Sequence, residues 1–165
     1  MKIDISVADQ TLDLLDEQGA VIQRYRVSTA ANGVGEQCGS YQTPRGAHIV
    51  RAKIGADLPH GSVFVGRRAT GEIWSPELSA AFPGRDWILT RILWLSGTEP
   101  GVNRLGDVDS MRRYIYIHGT PDSEPMGVPN SHGCIRMLNA DVADLFERVP
   151  VGTSVMIHSE TQNPA

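Results

Sequence analysis

Cys134 and His118 are the residues of this sequence whose types and spacing best suit chemistry, and 16 positions separate them. Cys134 lies in Ser131-His132-Gly133-Cys134-Ile135-Arg136, a thiol in a glycine-flanked turn with a histidine two places upstream. His118 closes the β-prone run Tyr114-Ile115-Tyr116-Ile117, and a loop rich in Pro, Gly and Asn joins it to the cysteine. A free thiol has a pKa of roughly 8.5, so it needs a base or a positive charge nearby to react at neutral pH. A strand end followed by a turn can put an imidazole and a thiol face to face. In a core strand a cysteine would be only a small hydrophobe, but Ser131, His132 and Gly133 set this one in a turn. The pattern reads as a nucleophile, Cys134, with His118 as its base. The backbone amides of Gly133 and Cys134 could hold an oxyanion, because glycine lets a carbonyl come close.

The neighbouring polar residues have open roles. His132 could aid an oxyanion or only hydrogen-bond its loop. Arg136, two residues after the thiol, would point to the same side in a strand; it could hold a substrate carboxylate bidentately or pin the loop. Ser131 reads as a turn former. Arg67 and Arg68 could greet an acidic substrate, although an exposed hairpin turn is the commoner reason for such a pair. A zinc site is the competing chemistry, since His118, His132 and Cys134 are all zinc-ligand types. No Cys-x-x-Cys, His-Glu-x-x-His or fourth ligand accompanies them, and no metal or other cofactor is expected.

These residues need a scaffold that brings a strand end and a turn together. Ile3, Ile5 and Val7 alternate with polar residues, and Thr11–Leu15 and Val21–Val27 are β-prone runs joined by a hairpin turn at Glu17-Gln18-Gly19. Residues 28–39 form a small, polar loop. Further strands are expected at His48–Ala52, Val63–Val65, Trp87–Leu95 and Ser154–Ile157, with a Gly-rich loop over 96–107. Ser75-Pro76 opens a short helix that Pro83-Gly84 must end, and Asp109 is placed to cap a turn through Arg113. Asn139 is the expected N-cap of an amphipathic helix, because Val142, Leu145, Phe146 and Val149 fall on one face before Pro150. The sum is a single mainly-β domain with one or two short helices. The domain is expected over residues 1–158, with a polar tail at 159–165 that frays.

Composition narrows the function classes. At 165 residues and 41% hydrophobic, the chain can bury one full core. A net charge of -4 argues against a nucleic-acid surface. No apolar run approaches the roughly 18 residues of a membrane span. The first residues alternate like a strand and lack the basic and apolar regions of a secretory signal, so a cytoplasmic location is expected, or a periplasmic one if the sequence is a trimmed form. The two cysteines, Cys38 and Cys134, are expected to be free thiols.

His118-Gly119, a loop, and then Ser-His-Gly-Cys-hydrophobic-Arg resemble the signature of the L,D-transpeptidase catalytic domain (YkuD-type). Val27-Ser28-Thr29-Ala30 with Asn32-Gly33, Thr43-Pro44-Arg45-Gly46, and Arg113 through Gly119 resemble other segments of that domain, in the same order. The resemblance implies a mixed β-sandwich or barrel and a Gly119 carbonyl that orients His118. It also implies attack by Cys134 on the bond between meso-diaminopimelate and D-alanine in peptidoglycan tetrapeptide stems. Stem peptides or muropeptides would be its partners, and β-lactams such as carbapenems its covalent inhibitors. The acyl group would pass to water, giving an L,D-carboxypeptidase of peptidoglycan recycling, or to an amine, giving an L,D-transpeptidase. A non-catalytic muropeptide-binding module is the remaining alternative, and intact His118 and Cys134 speak against it.

Overall fold

The computed structural model describes residues 1–162. The strands are β1 Lys2–Ser6, β2 Thr11–Leu15, β3 Val21–Arg26, β4 Gly46–Ile54, β5 Ser62–Val65, β6 Arg68–Ile73, β7 Ile88–Gly97, β8 Tyr116–Thr120, β9 Ile135–Leu138 and β10 Ser154–His158. Helix α1 spans Pro76–Ala81 and α2 spans Asn139–Arg148, with a 3-10 turn at Gly106–Val108. All the strands join one mixed sheet in the order β3-β2-β1-β10-β4-β7-β5-β6, with β8 on β7 and β9 beyond it, and this sheet curls into a half-barrel. No helix among the described residues is long and apolar enough to cross a membrane.

Alternation accounts for the outer strands. Ile3 and Ile5 of β1 and Val155 and Ile157 of β10 turn to one core with Leu12 and Leu14 of β2. The inner strands read differently, since β8 is buried along its whole length and lies between β7 and β9. Helix α2 closes the core over β7, β8 and β9 with Val142, Leu145 and Phe146. In α1, Ser75 caps the helix as expected, its hydroxyl accepting from the Leu78 amide at 3.1 Å.

Several expectations need correction. The mostly exposed β6 was not foreseen, because Arg-Ala-Thr-Gly-Glu-Ile carries no apolar alternation; its pairing with β5 makes it a strand. Asn139 is not the N-cap of α2 but its first residue; Leu138 takes the cap position without a side-chain bond. An outside group substitutes: Asp122 Oδ1, from the loop after β8, accepts from the Asn139 amide at 3.3 Å. The tail does not fray through Gln162, whose amide donates to Asp9 at 2.7 Å and whose side chain donates to the Asp4 carbonyl at 2.9 Å. The remaining tail residues, 163–165, lie outside the described residues.

Candidate active site

Parallel pairing of β8 with β9 builds the site. Ile117 sits beside Ile135 and His118 beside Arg136, so Cys134, one step before β9, falls next to Tyr116. His118 follows Tyr116 by two residues and therefore faces the same side of the sheet as Cys134's neighbour. Both side chains line one hollow of about 480 Å³, together with Arg67, Asp86, Tyr114 and His132.

His118 is only 1% exposed. Its Nδ1 donates to the Gly119 carbonyl at 2.6 Å, which leaves Nε2 unprotonated and able to act as a base. Burial pulls its pKa below the ordinary histidine value, against a smaller upward pull from that carbonyl. Gly119 is a packing requirement as well: a Cβ there would lie 2.5 Å from Asn139 Oδ1 and 2.6 Å from the Leu89 carbonyl. Opposite it, β7 bulges between Leu89 and Ile92, and Thr90 adopts a φ of 72°.

Cys134 is half-buried and a free thiol, as is exposed Cys38. At rest its Sγ does not bond the imidazole. It lies 3.3 Å from the Tyr114 carbonyl, to which it donates, and 3.4 Å from the Tyr116 amide, from which it accepts. Desolvation pushes the thiol up to about 12, outweighing the Tyr116 amide, Arg136 and Arg113, which pull it down. The resting pair is therefore a neutral thiol beside a neutral imidazole.

The turn before the thiol is rigidly braced. Ser131 Oγ donates to the Cys134 carbonyl at 2.6 Å and accepts from the Gly133 amide at 3.2 Å. That engages one of the two amides expected to hold an oxyanion, and it makes buried Ser131 a strut of the turn. Residues 28–43, expected only as a loop and a strand entry, clasp the same turn. Thr29 accepts from the Asn130 and Ser131 amides, both at 2.9 Å, and Thr43 Oγ1 donates to the Gly133 carbonyl at 2.9 Å.

Arg136 is 8% exposed; it donates to the Asn130 carbonyl and to Asp86 Oδ1, each at 3.0 Å. Both bonds pin the site from within. His132, with 68% of its side chain exposed, stands 3.9 Å from the other oxygen of Asp86. Asp86 was missed in the sequence because it reaches the site through space from the loop before β7. Among the described residues no group of three or more His, Cys, Asp or Glu converges as metal ligands do.

The comparisons with known proteins agree on the family. The model of the L,D-transpeptidase catalytic domain (YkuD) matches residues 1–157. A probable L,D-transpeptidase of Escherichia coli, YbiS, is 31% identical over 130 residues, a match covering 73% of this chain and 41% of that protein. The chain thus spans about two fifths of the length of such curated relatives. A cysteine-to-serine mutant of the Enterococcus faecium L,D-transpeptidase superposes with a TM-score of 0.57 at 15% identity, over 95% of this chain and 49% of that one. L,D-transpeptidase 3 of Mycobacterium tuberculosis, solved with a faropenem-derived adduct, gives 0.52 at 16% identity, over 94% of this chain and 58% of that one. These two likenesses concern the fold; the match of the family along nearly the whole chain is what decides that this protein belongs to the L,D-transpeptidase catalytic domain (YkuD) family.

Proposed function

We propose that the protein is a cysteine acyl-enzyme that cleaves the bond between meso-diaminopimelate and D-alanine in peptidoglycan tetrapeptide stems, with water as its main acceptor. The observation that carries this is the joint placement of Cys134 and His118 on the wall of one hollow, with His118 Nε2 left as the acceptor. For the reaction, Cys134 Sγ exchanges its bond to the Tyr114 carbonyl for one to His118 Nε2. As sulfur bonds the diaminopimelate carbonyl carbon, the thiol proton passes to Nε2. The oxyanion rests on the Cys134 amide and His132, and the imidazolium then protonates the departing D-alanine amine. Water, deprotonated by Nε2, opens the thioester and restores the thiol. The sum is tetrapeptide plus water giving tripeptide plus D-alanine.

Water is favoured because the exposed His132 and Tyr114 leave the thioester open to solvent. Transfer to an amine is the second reading, and one observation favours it. A second hollow of about 290 Å³ adjoins the first, sharing Arg113, Tyr114, Ile115 and His132, and has room for an acceptor side chain. The test is mass spectrometry of purified protein given a disaccharide-tetrapeptide. Tripeptide and free D-alanine are expected, and Cys134→Ala should give neither. Dominant 3-3 cross-linked dimers would replace hydrolysis with transfer. Faropenem should add covalently to the native protein and not to Cys134→Ala.

A further inference from the structure

Resting on the stem-peptide reading above, we propose that Arg67 is a preorganised anchor for a free carboxylate of the stem, and so sets the charge specificity of the cleft. Arg67 sits where arginine is a poor choice for the backbone. The β5–β6 connection is the two-residue turn Gly66-Arg67, with φ of 56° and 66°. Such a turn favours glycine, asparagine or aspartate, because a left-handed backbone crowds the Cβ of other residues. The side chain is held from outside its own hairpin. Its Cζ lies 4.9 Å from the Trp94 ring centre and 4.7 Å from that of Tyr114, and Nη1 donates to Tyr116 Oη at 3.0 Å. Tyr114 also has a left-handed backbone, with φ of 57°. Two residues in a sparsely populated conformation therefore meet in one stack, on the wall of the hollow that holds Cys134 and His118.

The charges of that wall single out Arg67. It carries three arginines and one carboxylate, Asp86, on a molecule whose net charge is -4. Arg136 is engaged by Asp86 and the Asn130 carbonyl. Arg113 points away to the carbonyls of Gly35, Glu36 and Gln42 and to the Ser40 hydroxyl. Among the described residues Arg67 uses one hydrogen-bond donor, on Tyr116, and keeps its other donors for a ligand. A guanidinium fixed by two rings and a phenol loses little freedom when it takes a planar anion. A tetrapeptide stem offers two such groups, the terminal carboxylate of the leaving D-alanine and the side-chain carboxylate of the diamino acid.

Steady-state kinetics with three substrates test this: the native tetrapeptide, its D-alaninamide form and its form amidated at the diaminopimelate side chain. With the native stem, Arg67→Met should raise KM about ten-fold or more, the scale of a charged hydrogen bond, and change kcat little. Arg67→Lys should recover part of the loss, which a merely structural clamp would not grant to a non-planar cation. On the native protein one amidated stem should bind about ten-fold worse, and on Arg67→Met that same stem should match the unmodified one; which stem it is identifies the carboxylate. An unchanged KM for Arg67→Met overturns the assignment, as does equal KM for all three stems on the native protein, an arm that holds even if the variants misfold. A native protein that processes no stem at all overturns the enzyme reading and this assignment with it.

Discussion

Cys134 carries its proton at rest, because desolvation pushes the thiol up to about 12, while the same burial pulls His118 below its ordinary pKa. An ion-paired cysteine site would do the opposite, lowering the thiol and raising the imidazole. The signs fix the pH behaviour. The working form is neutral imidazole with neutral thiol, so kcat/KM should fall on the acid side only below about 6.5, the unshifted histidine value. It should then stay level through neutral pH. Alkylation of Cys134 by iodoacetamide, followed by mass spectrometry, should keep rising about ten-fold per pH unit beyond pH 8.5, since only thiolate reacts. A plateau in that rate at or below pH 8 would show an ion pair and refute the neutral resting state.

The elements around the site are tied by a residue that contributes nothing to the chemistry. Asn139 Nδ2 donates to the Thr120 carbonyl at 3.0 Å, and its Oδ1 accepts from Thr90 Oγ1 at 2.5 Å. It thereby joins the bulge of β7, the end of β8 and the start of α2. Asn139→Ala should destabilise the fold by about 1–3 kcal/mol, as loss of part-buried hydrogen bonds does. Urea melts check this, and a change under 0.5 kcal/mol would mean the bulge is held by other contacts. This knot also marks where sequence reading stops. Val142, Leu145 and Phe146 declare α2 by their own spacing, and Ile3 and Ile5 declare β1, because periodicity is local. The cap of α2 was illegible, since Asp122 reaches it from another loop. Cys134 stands in the expected turn before β9, but His118 lies in the middle of β8 and not at a strand end, because that strand runs on to Thr120 to pair with β9. Asp86 and the clasp from residues 28–43 were not legible, because their role is set only by the folding of the sheet. Arg67 showed its charge in the sequence, but the rings of Trp94 and Tyr114 that hold it belong to distant elements.

At the scale of the whole molecule, β10 is the strand that joins two parts of one sheet. It lies parallel to β1 and antiparallel to β4, and so joins β1–β3 to β4–β9 through the sheet; among the described residues the chain after β3 pairs with β9 only in the isolated bridge of Ser28 to Arg136. The contacts it makes are among the longest in sequence; His158 meets Asp4 across 154 positions at 2.8 Å. Pairing of that separation closes late, because loop entropy must be overcome before the contact is made. In pulse-labelled hydrogen exchange during refolding, the β10 amides should gain protection after those of the local β1–β2–β3 meander. Protection of β10 before the meander would contradict this order. A ribosome makes the order stricter still. As the chain emerges, β1–β3 wait with the apolar faces of Ile3, Ile5, Leu12 and Leu14 and the open edge of β1 uncovered until Ser154–His158 have been synthesised. During that interval the nascent chain offers a strand edge to any other copy, so its yield in a cell should depend on elongation speed and on chaperones that shield the edge.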